Sequence, residues 1–176
     1  RDSLRAVMCE IGLHEALVPI NVMTLFEDDQ VLAAEADGVW TDMEFEVALD
    51  SGAVIHVCSP SDCPGYMLEE SPGSRRKQKF QRGDGGTIPN LGQKSLNLTD
   101  DLAGRDLCSV FQIAAVTRPL MSVGKICDEG HNVTFDKEKA IVRHTDGSEL
   151  ARFVRQPGGL YVAKMKLRNP LGFSGQ

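Results

Sequence analysis

The sequence predicts a mainly β protein, a small barrel or sandwich with one or two short helices. Three observations predict it. Apolar residues alternate with polar ones over short runs, as where Met43, Phe45, Val47 and Leu49 are separated by Glu44, Glu46 and Ala48. That period of two buries one face of a strand. The 17 glycines are spread along the chain beside other turn residues, as in Asp84-Gly85, Asp146-Gly147 and Pro157-Gly158, which favours many short strands over a few long helices. The chain has 176 residues, 41% of them hydrophobic. That is about one domain at ~150 residues each, large enough to bury a core without disulfide staples.

Leu4, Val7, Met8 and Ile11 sit at helical spacing, with Asp2 or Ser3 to cap the start and Gly12 to end the turn. Glu27-Asp28-Asp29 before Val31 to Ala34 can open a second short helix. Residues 1–38 therefore read as a partly helical N-terminal extension. Residues 39–168 form the main domain, and the tail at 169–176, from Asn169-Pro170 onward, is expected to be loose.

In the main domain the first strand runs through Leu49 and breaks sharply at Ser51-Gly52. Ala53 to Val57 reads as a second strand. Residues 59–79 hold Pro60, Pro64, Gly65, Pro72 and Gly73, and read as a long loop. Its basic cluster, Arg75, Arg76, Lys77 and Lys79, reads as a solvated face. Gly83-Asp84-Gly85-Gly86 is a strong turn signal, and predicts a hairpin between Lys79-Phe80-Gln81 and Thr87-Ile88.

Ser95 to Leu98 and Leu107 to Val116 read as strands joined across Asp100 to Gly104. Ser122 can cap a short helix through Lys125-Ile126-Cys127 that Gly130 stops. Three further strands follow: Val133 to Phe135, Ala140 to Arg143, and Glu149 to Val154. The last strand, Leu160 to Leu167, places Tyr161, Ala163, Met165 and Leu167 on one face.

The sharpest chemical feature is Leu49-Asp50-Ser51-Gly52-Ala53. An apolar strand delivers a carboxylate into a glycine turn. Gly52 lets backbone N–H groups approach Asp50, and Ser51 can hydrogen-bond near it. Such a group suits acid–base activation of water. Two carboxylates facing each other cannot both ionise, so one holds a proton while the other acts as base. The tripeptide alone is common in ordinary turns, and its weight comes from the strand before it and the glycine-tipped hairpin after it.

Four segments in order carry a family resemblance: Phe45 to Ala53, then Gly83 to Gly92, then Pro119-Leu120-Met121-Ser122-Val123-Gly124-Lys125, then Gly130 to Phe135. Together they resemble a retropepsin-type aspartic protease, most closely the protease segment of copia-type retrotransposon polyproteins, over roughly residues 40–167. The resemblance implies a closed, mostly β acid-protease barrel. It implies one Asp per chain, so that two copies pair to build the active site, with a peptide or polyprotein as substrate and no cofactor. Asp50 would be the catalytic residue, and Ser51, Gly52 and Ala53 would complete its loop. Gly83, Asp84, Gly85 and Gly86 would be the tip of a flap. Val123 and Gly124 would be the apolar-Gly element packed beneath the active loop. The chain departs from the family in its long segment between Ala53 and the flap, in Ser122 where a second aliphatic is usual, and in its N-terminal 38 residues.

The other carboxylate pairs, Asp28-Asp29 and Asp100-Asp101, read as turn or cap groups, since adjacent strand residues point apart. A non-catalytic module of the same fold, serving as a scaffold or peripheral subunit of a larger complex, is the alternative function. The formal charge of −6 argues against nucleic acid as a partner. There is no apolar run of the roughly 18 residues that a membrane helix needs.

Five cysteines, Cys9, Cys58, Cys63, Cys108 and Cys127, contain no Cys-x-x-Cys. They read as free thiols of a reducing intracellular compartment. An organelle is the alternative where a targeting peptide has been removed, as the missing initiator Met allows. His56-x-Cys58 with Cys63 fits no standard zinc-finger spacing, and no metal site is expected. Asn97-Leu98-Thr99 and Asn132-Val133-Thr134 are glycosylation sequons by pattern only.

Overall fold

The computed structural model describes residues 43–168 and the backbone of residues 17–19. The two helices expected before residue 38, the Asp28-Asp29 pair and the tail from residue 169 lie outside the described residues. Within the 1–38 extension, β1 (Leu17–Pro19) is a strand.

The chain is mainly β, with a closed six-stranded barrel. Its strands are β2 (Met43–Asp50), β3 (Val57–Cys58), β6 (Gly92–Asp100), β7 (Arg105–Ile113), β8 (Leu120–Ser122) and β12 (Tyr161–Leu167). They run in the order β2-β8-β3-β7-β6-β12, and β12 closes the ring by pairing with β2. That closing ladder is antiparallel over seven positions, from Tyr161 opposite Leu49 to Leu167 opposite Met43. Closure leaves none of these six strands as a bare edge.

Beyond β12 the sheet continues as a meander of β11 (Glu149–Arg155), β10 (Lys139–Arg143) and β9 (Asn132–Phe135). A separate small sheet holds the hairpin of β4 (Lys79–Gln81) and β5 (Thr87–Pro89), with β1 parallel to β4.

The alternation read in the sequence decides what fills the barrel. Phe45, Val47 and Leu49 of β2 point to one core with Leu96, Leu98 and Phe111. The rings of Phe45 and Phe111 meet edge to face at 5.5 Å, a favoured aromatic geometry. Ala163, Met165 and Leu167 join that core and Tyr161 packs against it, as the shared face of β12 requires. Ala48 faces the other way, yet it is also buried. It belongs to a second cluster with Val57, Phe80, Ile88, Leu120 and Val162. The hairpin, through Phe80 and Ile88, therefore packs on the outer face of the sheet at Ala48, Leu120 and Val162.

Two charged residues share the buried face of β6. Asp100 is 1% exposed. Its Oδ1 accepts the Leu102 N–H at 2.9 Å and its Oδ2 accepts the Arg152 N–H at 2.6 Å. It is thus the turn carboxylate expected between the two long strands, and it also ties that turn to β11. Lys94 donates from Nζ to the Cys63 carbonyl at 2.9 Å.

Two expectations need correction. Ala53 to Val57 is not a strand; only Val57–Cys58 pairs. The preceding residues are drawn into a loop by contacts to β8 described below. The long segment after β3 is not all loop either. It contains a 3-10 turn at Pro60–Asp62 and a four-residue helix at Pro72–Arg75, each closed by a serine capping box. The basic cluster is exposed along and just after that helix.

Candidate functional site

Asp50 is the last residue of β2 and lies in parallel register with Ser122 of β8. The chain then turns back on itself, and the Gly52 N–H donates to Asp50 Oδ1 at 2.7 Å. The carboxylate is half-buried, and Ser51 and Gly52 are exposed. One oxygen is thus held by the backbone of its own loop.

The order of strands explains how this loop is held. β2 and β3 follow one another in the chain, but β8 is inserted between them. It is parallel to β2 and antiparallel to β3. The loop from Ser51 to His56 must therefore bridge the end of β8. Ser122 sits at that end and is fully buried. Its Oγ donates to the Ala53 carbonyl at 2.6 Å and accepts the Lys125 N–H at 3.1 Å. Its backbone N–H donates to His56 Nδ1 at 2.9 Å. Ser122 thus ties both halves of the loop to β8 and also caps the helix Val123–Asp128.

An Nδ1 that accepts from a backbone N–H cannot carry a proton, so the neutral ring holds its proton on Nε2. His56 is 2% exposed. Burial lowers its pKa to about 4, with a smaller opposing pull from Glu129 and a smaller push from Lys125 in the same direction as burial. It also lines a cavity of about 70 Å³ with Met121, Ile126, Glu129 and others.

The predicted hairpin tip is in place. The Arg82 N–H donates to the Gly86 carbonyl at 2.7 Å and the Gly85 N–H to the Arg82 carbonyl at 3.0 Å. Asp84 accepts the Gly86 N–H at 2.8 Å and pairs with Arg82 at 2.9 Å. Gly85 has φ +84°, which glycine adopts without cost. Gly83, Asp84 and Gly85 are exposed and Gly86 is half-exposed.

Val123 and Gly124 begin the helix after β8. Val123 is half-buried against the core and Gly124 is exposed. The hydrogen bonds that hold the Asp50 loop come from Ser122, one residue earlier. His56 was also missed as a member of this site. Its sequence signal was a lone histidine inside the apolar run Ala53 to Val57, a position where a buried imidazole must find a partner.

Among the described residues no three His, Cys, Asp or Glu side chains converge to hold a metal ion, and no helix is long and apolar enough to cross a membrane. Comparison of the chain with protein-family models, with curated proteins and with solved structures gave no match.

Proposed function

We propose that this chain is an aspartic endopeptidase of retropepsin type that acts as a homodimer. The observation that carries the reading is the Asp50 loop. A half-buried carboxylate ends a barrel strand, accepts the N–H two residues on, and is anchored from behind by a strand inserted between its neighbours. The hairpin with its exposed glycine tip, rooted in the same apolar cluster as Ala48 and Leu120, suits a cover for an extended peptide.

In the proposed dimer the two Asp50 side chains face each other across the two-fold axis. Like charges at that distance cannot coexist, so the pair shares one proton and titrates as a unit. The ionised carboxylate takes a proton from a water molecule. The water oxygen attacks the peptide carbonyl carbon, and the protonated carboxyl group donates to the carbonyl oxygen. Collapse of the tetrahedral species returns a proton to the leaving nitrogen and breaks the C–N bond.

The test is cleavage of a peptide library at mildly acidic pH by the unmodified chain and by Asp50→Asn, with native mass spectrometry of both. The asparagine retains an Oδ1 for the Gly52 N–H, so the fold should persist while cleavage disappears. Equal cleavage by the two proteins would remove Asp50 from the mechanism. A strictly monomeric chain without activity would favour the scaffold reading.

A further inference from the structure

Cys58 and Cys63 lie outside the Asp50 site and are both fully buried. Their sulfurs are 3.7 Å apart. The segment between them is a built turn. Ser59 Oγ accepts the Ser61 N–H at 3.2 Å, and Asp62 Oδ2 accepts the Ser59 N–H at 2.7 Å. Those two bonds clamp the 3-10 turn and hold the thiols face to face. Cys63 also donates from Sγ to the Ser59 carbonyl at 3.7 Å.

The second observation is Lys94. It is only 7% exposed, and among the described residues no carboxylate pairs with it. A buried ammonium without an anion is costly. This one donates to the carbonyl of Cys63 itself. A core of inert thiols has no need of a cation there, whereas a thiolate does.

We propose that Cys58 and Cys63 form a redox-active dithiol that closes to an intrachain disulfide, with Cys63 as the reactive sulfur and Lys94 as the positioning cation. The co-reactant is a small peroxide.

The electrostatics agree with that division of roles. The S–H of Cys58 donates to Cys63 and pulls the Cys63 thiol below its ordinary range against the opposing effect of burial, and Lys94 adds to the pull. The same hydrogen bond, with burial, pushes Cys58 well up. The Asp62 carboxyl acts against Cys63 ionisation, and burial raises its own pKa.

In the first step the Cys63 thiolate attacks one peroxide oxygen. An S–O bond forms, the O–O bond breaks, and hydroxide leaves as water after taking a proton. Cys63 is then a sulfenic acid. In the second step the Cys58 sulfur attacks Cys63, the S–S bond forms and the S–O bond breaks. The departing hydroxide takes the Cys58 proton and leaves as water. Two thiols and one peroxide give one disulfide and two waters. The sulfurs must close from 3.7 Å to about 2.05 Å. Because both are buried, reaction proceeds through local opening and is slower than at an exposed thiol.

The test uses the full chain with Cys9, Cys108 and Cys127 replaced by serine, treated with hydrogen peroxide. The intact mass should fall by two hydrogens, both titratable thiols should disappear, and a dithiol reductant should restore them. Lys94→Gln should slow closure about tenfold by lowering the thiolate fraction. Cys58→Ser should accumulate a Cys63 sulfenic acid that dimedone traps, and Cys63→Ser should leave Cys58 unreacted. Peptide mapping of the oxidised natural sequence gives an independent reading where the serine variant folds poorly. Two thiols still intact after prolonged peroxide treatment of the serine variant, or oxygen addition without a Cys58–Cys63 link, would overturn the proposal.

Discussion

The backbone N–H of Ser122 donates to Nδ1 of His56 at 2.9 Å, across 66 positions of sequence. This bond joins the end of β8 to the far side of the Asp50 loop. It exists only while the imidazole is neutral at Nδ1, because a protonated ring nitrogen has no lone pair to accept with.

The loop anchor is therefore sensitive to acid. Burial holds the His56 pKa near 4 in the folded chain, against an ordinary value of 6.5. Above pH 6.5 both folded and unfolded forms are neutral and His56 contributes no slope. As pH falls from 6.5 toward 4 the unfolded chain binds the proton first, so stability drops through that window and levels off below it. The loss is at most about 3 kcal/mol. Urea unfolding at a series of pH values should show this acid-side slope. In His56→Asn, whose amide oxygen can take the Ser122 N–H, the slope assigned to His56 should vanish. An unchanged slope would contradict this origin.

Ser122→Ala removes two hydrogen bonds with one atom. The Ala53 carbonyl loses its donor in a buried place, and the helix Val123–Asp128 loses its cap. A lost cap costs about 1 kcal/mol, and an orphaned buried acceptor about 1–3 kcal/mol. Thermal unfolding should register a drop of about 2–4 kcal/mol, the sum of those two ranges. Ser122→Thr keeps the hydroxyl and should recover part of it. If both variants behave alike, the hydroxyl is not what anchors the loop.

Asp100→Ala should be among the more damaging changes in the barrel. It orphans two backbone donors, Leu102 and Arg152, and leaves a void at a fully buried position. A loss of about 2–4 kcal/mol is expected from such a network. Hydrogen exchange should show faster opening at both amides, and Asp100→Asn should retain part of the protection. Slow exchange at Arg152 in the alanine variant would refute the link between β6 and β11.

Gly92→Ala tests a close approach of two chain segments. Gly92 opens β6 with φ +141°, and a Cβ there would overlap the Glu69 carbonyl oxygen. That carbonyl accepts the Gln93 N–H at 2.8 Å, and the Glu69 N–H returns a bond to the Gln93 carbonyl at 2.9 Å. The added methyl group must push this bridge apart. A destabilisation of about 2–4 kcal/mol is expected, measurable as a shift in the urea midpoint. A near-neutral effect would mean that the 69–93 bridge does not hold in solution.

Most of the strand pattern was legible because it is local. β2 and β12 show their alternation in seven or eight consecutive residues, and the glycine turns at Gly85 and Gly147 demand a positive φ that few other residues tolerate. The Ser122 cap and its short helix were legible for the same reason. Ala53 to Val57 misled, because an apolar run bounded by a turn also fits a buried loop. What bent it was Ser122, far away in the chain. Asp100 was legible as a turn carboxylate, but nothing within a few positions of it or of Lys94 announces their burial.

By itself, the sequence determined a mainly β chain, the position of Asp50 at a strand end, and the hairpin with its glycine tip. These follow from periods and turn chemistry that act over a few residues. Only the tertiary structure decided that β8 lies between β2 and β3, that β12 closes the ring, and that Ser122 and His56 hold the Asp50 loop. Those outcomes depend on pairings between distant segments, in which each buried donor takes whatever acceptor the closed barrel brings within reach.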